Sequence, residues 1–317
     1  MGKFLVLFTD KLWSIDTTGE SRFYKNLVTF VKLVRITINR HIENRMGFQC
    51  VALSYYVALA FIPLLAFIFA VSGGLGLDGI IDSFLLSLSS DVDASLLNVI
   101  REKAGNIIDI AESGGVGLIA ALSFIWTILW MMFQVERVFN NVWGVRKIPR
   151  KIYKRFGFYL IVLILVPFVV IIFSAGIAYY SNFSKFLGLD LSGARFIAEA
   201  LGYLTFYGVA LLTLYSMYRF IPATEVKHRN AMRSAALAAL AFVVFQYLYL
   251  ETQMFVAKLN MVYGVLAAIP LFLIYLNYSW QIIIYGAELT YAYQNIESYG
   301  LEDSKPLFKF KIKKQPK

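Results

Sequence analysis

The sequence predicts an all-α polytopic membrane protein: a bundle of about six transmembrane helices with further amphipathic helices at the interface and in an outer loop. Of the 317 residues, 59% are hydrophobic and 16% are charged. Soluble domains average roughly 45–50% apolar and about 25% charged residues. Several apolar runs also reach the length of about 20 residues that a helix needs to cross a bilayer. We therefore expect one membrane domain and no sizeable soluble domain.

Hydropathy divides the chain into a mixed cytoplasmic segment at 1–24, a single membrane domain at 25–295 and a basic cytoplasmic tail at 296–317. The predicted spans are 49–72, 116–139, 158–180, 199–218, 234–250 and 262–292. The opening apolar run is too short for a secretory signal and is interrupted by Asp10, so no cleaved signal is expected.

The distribution of charge predicts the orientation of the spans. The net charge is +10, and in membrane proteins Lys and Arg accumulate in cytoplasmic loops, where they also attract anionic lipid headgroups. The loop at 144–157 therefore lies inside, and both termini are expected in the cytoplasm. Tyr153 stands among these bases, but topology and lipid binding explain the charge, so no nucleic-acid partner is expected. The bases are Arg146, Lys147, Arg150, Lys151, Lys154 and Arg155.

The segment at 73–115 has the opposite charge, with seven acids and two bases. Two amphipathic stripes predict two helices here, the second capped near Ser90, and the charge places them outside. Asp91 and Asp93 could be considered a metal pair, but no third ligand lies at a useful spacing. We therefore expect no metal site and no cofactor.

A basic amphipathic helix is predicted just before the first span, at 24–45. Its apolar residues include Leu27, Phe30 and Val34, and its polar face includes Lys25 and Asn39. Such a helix either lies in the plane of the membrane interface or packs on the protein's own loops. The interfacial interpretation is favoured because a membrane span follows directly.

The last span combines an apolar helix with features that disturb one. It contains Tyr263-Gly264, Pro270 and the carboxylate Glu288. Proline inside a helix removes a hydrogen bond and bends it, so kinks are predicted at Pro63, Pro167 and Pro270. A second possibility for 259–268 is a re-entrant segment broken at Tyr263-Gly264.

Enzymatic chemistry finds little support in the sequence. The only histidines are His41 and His228, nothing places them together, and the single cysteine, Cys50, excludes an internal disulfide. The chain contains no HExxH pair, no Walker A loop and no Gly-x-Ser-x-Gly elbow. We therefore expect that the protein is not an enzyme.

Polar residues in and beside the spans form the candidate site. An acid within the membrane must face protein or water, so Glu288 needs a partner, for which Arg219 and Arg137 are the most plausible residues. The cluster is either an ion-paired network that holds the bundle together or a substrate site. The candidates are Glu136, Arg137, Asn140, Arg219, Tyr263, Gly264 and Glu288.

Four stretches of the chain resemble the YihY/BrkB family of bacterial inner-membrane proteins, once labelled ribonuclease BN. They are LSYYVALAFIPLLAF, FNNVWGVRKIPRK, RFIPATEVKHRNAMRSAALAAL and VYGVLAAIPLFLIYLNYSWQIIIYGAEL. The resemblance runs from about Leu27 to Asn295 and implies about six membrane helices in a bacterial inner membrane. Pro222, Tyr263, Gly264 and Glu288 match the family's Pro, Tyr-Gly and Glu, whereas Ala58-Leu59-Ala60 replaces a more polar version.

Two functions remain open. Kinked helices, amphipathic helices on both sides of the bundle and a polar cluster favour transport or handling of an amphiphilic, lipid-like envelope substrate. The alternative is a membrane scaffold that recruits envelope partners. A groove open to lipid would favour the first, and a sealed bundle with buried ion pairs would favour the second; a ribonuclease is disfavoured.

Overall fold

The computed structural model describes residues 12–13, 21–74, 115–145, 195–257 and 261–299. Six helices make up most of this part of the chain, and no strand occurs among the described residues. The helices are α1 (Arg22–Glu43), α2 (Met46–Gly74), α3 (Gly115–Val142), α4 (Arg195–Phe220), α5 (His228–Ala257) and α6 (Met261–Asn295).

A helix covers every predicted span except the third, because 158–180 lies outside the described residues, as does most of the segment at 73–115 that was predicted to lie outside. By length and composition, Leu122–Val142 and His228–Gln253 are each apolar and long enough to cross a bilayer, with 21 and 26 residues. The helical class of the chain is thus observed in the described part, and the count of six spans and their orientation stay predictions.

The chain forms two compact units. Among the described residues, the first unit contains α1, the start of α2 to Val51, the end of α3 from Glu136, and α4 to α6. The second contains the rest of α2 and α3. In this second unit, α3 exposes an apolar stripe at helical spacing, because residues three or four apart share one face of a helix. The stripe is Ile119, Leu122, Trp126 and Trp130.

Helix α6 is central to the first unit, where it packs against α1, α4 and α5. Small residues allow the closest approach: Ala235 and Ala239 of α5 are completely buried. Gly286 of α6 has no room for a side chain, because a Cβ there would lie only 2.8 Å from the Cβ of Ala238 and would overlap the ring of Tyr218. The alanines of the fifth predicted span therefore do occupy a close helix contact, as expected from their size.

Helix α1 begins where Ser21 accepts a hydrogen bond from the backbone N–H of Tyr24, at 3.3 Å. Such a cap satisfies one of the donors that the first turn leaves unpaired. On the face that packs against α6, Leu33 and Ile36 are buried with Ala292. The predicted polar face is thus partly wrong, because Asn39 is buried on this helix rather than solvated.

In the predicted apolar face of α1, Leu27 and Val31 are partly buried against Leu12 and Val28. An exposed apolar stripe runs along the rest of this face. Its residues recur mostly every four positions, which aligns them along one side of the helix. Phe23 is 75% exposed and Phe30 is 64% exposed. The exposed stripe consists of Phe23, Phe30, Val34, Ile38 and Ile42.

Helix α3 ends in a two-bond turn at Gly144, whose φ is +67°. The backbone N–H of Val145 binds the carbonyl of Asn140 at 2.9 Å, and that of Gly144 binds the carbonyl of Asn141 at 3.0 Å. This pair of bonds requires a left-handed residue between them, which glycine adopts without steric cost. The turn fixes where the chain leaves α3 and leaves the Val142 carbonyl open to another donor.

Candidate functional site

The carboxylate of Glu288 lies in the interior of the first unit and is 0% exposed. Its Oε2 atom is 2.9 Å from Nδ1 of His41, which reaches it from the end of α1. An ionised carboxylate has no proton to give, so the imidazole N–H donates this hydrogen bond. The ring of Tyr285 stacks on a face of the imidazole, with ring centroids 4.1 Å apart and planes 11° apart. The stacking and the hydrogen bond together fix the orientation of the imidazole.

The second oxygen of the same carboxylate is not satisfied. Oε1 of Glu288 is buried and makes no hydrogen bond within the described part of the chain. Leaving a buried acceptor unpaired costs roughly 1–3 kcal/mol, and more for a charged group. An ionised acid inside a membrane adds a cost of about 3 kcal/mol at mid-bilayer. The structure thus keeps a half-satisfied carboxylate where a purely structural pair would use both oxygens.

Arg40 adds a fixed positive charge beside this pair. Its Nη2 donates a hydrogen bond of 2.8 Å to the Val142 carbonyl at the end of α3, and its guanidinium lies 4.3 Å from the ring centroid of Tyr291. An Arg over an aromatic ring contributes about 0.5–2 kcal/mol. Trp143 meets the same Tyr291 ring edge-on at 5.4 Å. Arg40 therefore connects α1, α3 and α6 one residue before His41.

A second polar contact holds the connection between α4 and α5. Oδ1 of Asn140 accepts a hydrogen bond of 2.7 Å from the backbone N–H of Ala223. From α6, the amide of Gln294 accepts from the backbone N–H of Lys227 at 2.9 Å and donates to the carbonyl of Glu225 at 3.0 Å. Side-chain amides thus replace the backbone partners that a short irregular segment lacks. Asn140 was among the predicted site residues, whereas Gln294 was missed.

The expected partner of Glu288 was wrong. Neither oxygen binds an arginine: Oε2 binds His41 and Oε1 has no hydrogen bond among the described residues. Arg137 is exposed and Arg219 is half-buried at the end of α4. The physical reason is that His41, in the last turn of α1, lies across the packed α1–α6 contact from Glu288, although 247 positions separate the two residues in the sequence.

Other predicted residues take less central places. Glu136 is buried on α3, and its carbonyl accepts a hydrogen bond of 2.9 Å from Asn140. Tyr263 and Gly264 lie in the first turn of α6, which continues as one helix through Pro270, so the backbone is helical at the proposed break. Pro63 likewise lies within α2. Pro167 and the six bases from Arg146 to Arg155 lie outside the described residues.

No group of three or more His, Cys, Asp and Glu residues that could hold a metal occurs among the described residues. His228 shares a hydrogen bond of 2.7 Å with the hydroxyl of Tyr215. The two histidines therefore have different partners, a buried acid and a tyrosine.

Apolar helices long enough to cross a bilayer, with apolar side chains exposed at helical spacing, are typical of helical membrane proteins. Comparison with known proteins gives the family: the model described as "Virulence factor BrkB" matches residues 37–308. The chain therefore belongs to the BrkB family, as the resemblance predicted.

Three of the curated relatives are named UPF0761 membrane proteins. A UPF0761 membrane protein of Acinetobacter baylyi is 25% identical over 90% of this chain and 67% of its own length. One of Laribacter hongkongensis is 31% identical over 79% of this chain and 58% of its own. One of Pseudoalteromonas translucida is 27% identical over 80% of this chain and 83% of its own. The chain thus spans roughly three-fifths to four-fifths of these relatives. No solved structure matches it.

Proposed function

We propose that this membrane protein transports or otherwise handles an amphiphilic, lipid-like substrate of the bacterial envelope. The observation that carries the proposal is the half-satisfied carboxylate of Glu288. Ionisable groups within membrane helices are costly, and they are retained mainly where they serve a substrate, ion or proton path. His41 satisfies one oxygen, and the buried Oε1 makes no hydrogen bond within the described residues.

The exposed stripes supply the surface along which such a substrate would move. Apolar side chains on α1 and α3 are exposed at helical spacing, and exposed apolar patches of this kind mark membrane or partner contacts. Arg22 and Lys25, both exposed, lie near the start of the α1 stripe. We infer that the α1 stripe rests in the lipid interface while its bases contact anionic headgroups. Membrane lipids are thus the proposed partners, in the inner membrane and with both termini in the cytoplasm.

No enzymatic step is part of this proposal. The buried pair of His41 and Glu288 resembles an acid–base pair, but Glu288 has no exposed surface at which a substrate could meet it. A general base must come within hydrogen-bond reach of its substrate. The proposal therefore assigns the pair to a transport cycle and not to bond cleavage, and it includes neither a cofactor nor a nucleic acid.

The test is lipid movement in proteoliposomes of phosphatidylethanolamine and phosphatidylglycerol that contain a trace of fluorescent analogue. Dithionite, added outside, destroys only the label in the outer leaflet. Vesicles containing the protein should lose more than the outer-leaflet half of the signal, and Glu288→Gln should return the loss to the value of protein-free vesicles. If vesicles with the wild-type chain lose no more fluorescence than protein-free vesicles, lipid handling is contradicted.

The sealing of Glu288 favours a second candidate function, a membrane scaffold. A carboxylate with 0% exposure and a histidine partner can serve simply to hold α1 on α6. The two functions differ in one measurable respect. A scaffold, when supplied to a strain lacking the gene, would restore growth or envelope integrity but would not move lipid in vesicles. A transporter would do both.

A further inference from the structure

We propose that His41 and Glu288 form a proton-binding site whose charge changes by one during the protein's working cycle. The inference deepens the proposed function by naming the coupled ion, and it rests on that function for the cycle. The binding of the proton itself can be measured independently of any substrate.

The packing around the pair favours a proton over any larger ligand. Glu288 is completely buried where α6 packs against α1, and its Oε2 atom is held by His41. A lipid headgroup or a hydrated cation would need these helices to separate. A proton needs no space and requires only a relay of acceptors within hydrogen-bond distance.

His41 provides that relay. Its side chain is 12% exposed, whereas Glu288 is completely buried, so the imidazole is the part of the pair nearer to the protein surface. Histidine passes protons readily because each ring nitrogen can carry one. The neutral imidazole takes a proton from water on Nε2 and passes its Nδ1 proton over 2.9 Å to Oε2 of Glu288. The products are a neutral imidazole protonated on Nε2 and a neutral carboxylic acid, with a net gain of one proton.

The second carboxylate oxygen completes the path. Once the acid is neutral, its proton can reside on either oxygen, and Oε1 has no competing hydrogen bond within the described residues. A partner that reaches Oε1 in another conformation can accept the proton from it. The free oxygen then has a role, whereas in a purely structural pair it is only a cost.

The charged and titratable neighbours of the pair come from four helices. They are Arg40 on α1, Cys50 on α2, Tyr285 on α6 and, at the neighbouring helix crossing, Tyr218 on α4. Arg40 is the only one of these with a fixed charge, and α3 and α5 contribute the Val142 carbonyl and Ala238, which do not titrate. Counted with Arg40, the group has a charge of zero when Glu288 is ionised and of plus one when it is neutral. The proton therefore changes the electrostatic balance of the α1–α6 contact.

The test is infrared difference spectroscopy of the purified full chain while the pH is changed from about 5 to about 8. A protonated carboxylic acid has a C=O band that shifts in heavy water. We expect such a band to titrate in the wild-type chain and to be absent in Glu288→Gln. His41→Gln should move its midpoint, because the relay and its hydrogen bond are lost.

His228→Gln is the matched control. It removes the only other histidine, which binds Tyr215 and not an acid. In this variant the carboxylic acid band should therefore titrate as in the wild-type chain. A band that persists unchanged in Glu288→Gln, or the absence of any titrating band, would overturn the proton site. If Glu288→Gln abolishes lipid movement but the wild-type chain shows no titrating band, the proposed function is supported and the proton site is not. A titrating band without lipid movement would leave only the proton site.

Discussion

The hydroxyl of Tyr218 on α4 donates a hydrogen bond of 3.0 Å to the backbone carbonyl of Ile283 on α6. This contact brings the buried tyrosine ring directly over Gly286. The helix that carries Glu288 is thus held from one side by α4 and from the other by α1. Its position depends on a glycine that no side chain can replace without moving a ring.

Gly286→Ala should destabilise the protein by about 1–3 kcal/mol, because overpacking a close helix contact forces side chains and backbone apart. The measurement is thermal unfolding of the purified protein in detergent. Gly208→Ala is the control: beyond the adjoining residues and backbone of its own helix, no atom lies within 4 Å of a Cβ at Gly208. Because alanine favours a helix over glycine by about 0.5–1 kcal/mol, this control should be neutral or stabilising. Equal effects of the two substitutions would refute the close packing.

Arg40→Lys should lower stability although it keeps the charge. Lysine lacks the planar group that binds the Val142 carbonyl while it stacks on Tyr291. A hydrogen bond from a charged donor contributes about 1.5–3 kcal/mol, so a loss of part of that value is expected in thermal unfolding. Arg22→Lys, at an exposed position of the same helix, should have no effect. A wild-type melting temperature for Arg40→Lys would show that the contact contributes nothing.

The helical framework was readable from the sequence, because long apolar runs leave few alternatives to a helix in a membrane. The last predicted span, 262–292, lies within α6 at Met261–Asn295. The Tyr263-Gly264 break was not observed, since glycine is tolerated in a helix when its neighbours permit it. The turn at Gly144 carries a recognisable signal, a glycine two residues after Val142, the last residue of α3.

The site was only partly predictable. Glu288 stands out as an acid in an apolar helix, so its importance could be read directly. Its partner could not, because pairing across 247 positions depends on how α1 packs on α6. A single sequence favours the permanently charged Arg as a partner for an acid, and this preference led to Arg219 and Arg137. Gln294 gives no signal at all, since a glutamine near a helix end is ordinary.

The exposed stripe on α1 should lie parallel to the membrane surface. Residues 23 to 38 of a helix extend about 22 Å at 1.5 Å per residue, so a spanning helix would place its two ends at clearly different depths. Nitroxide labels on cysteines introduced at Phe23, Phe30 and Ile38 should report one shallow depth, by relaxation with oxygen and with a water-soluble nickel chelate. A label at Lys25 should contact water. Depth that increases steadily from Phe23 to Ile38 would contradict the in-plane placement.

The orientation of the bundle is predicted from charge alone and can be tested with reporters. An enzyme that is active only outside the cytoplasm should be active when fused near Asp93 and silent when fused near Lys151, because basic loops stay inside. A reporter that is active only in the cytoplasm should give the reverse. If the first reporter is active at Lys151 and silent at Asp93, the orientation is inverted.

The central claim is that Glu288 is retained for function and not only for packing. The most direct measurement compares Glu288→Gln with wild type in two assays, thermal unfolding and complementation of a strain lacking the gene, with His228→Gln as the control. Glutamine keeps the shape and one hydrogen bond to His41 but removes the charge. We expect a melting temperature close to that of wild type and a loss of complementation. Wild-type behaviour in both assays, or a loss of stability that accounts for the loss of function, would contradict the claim.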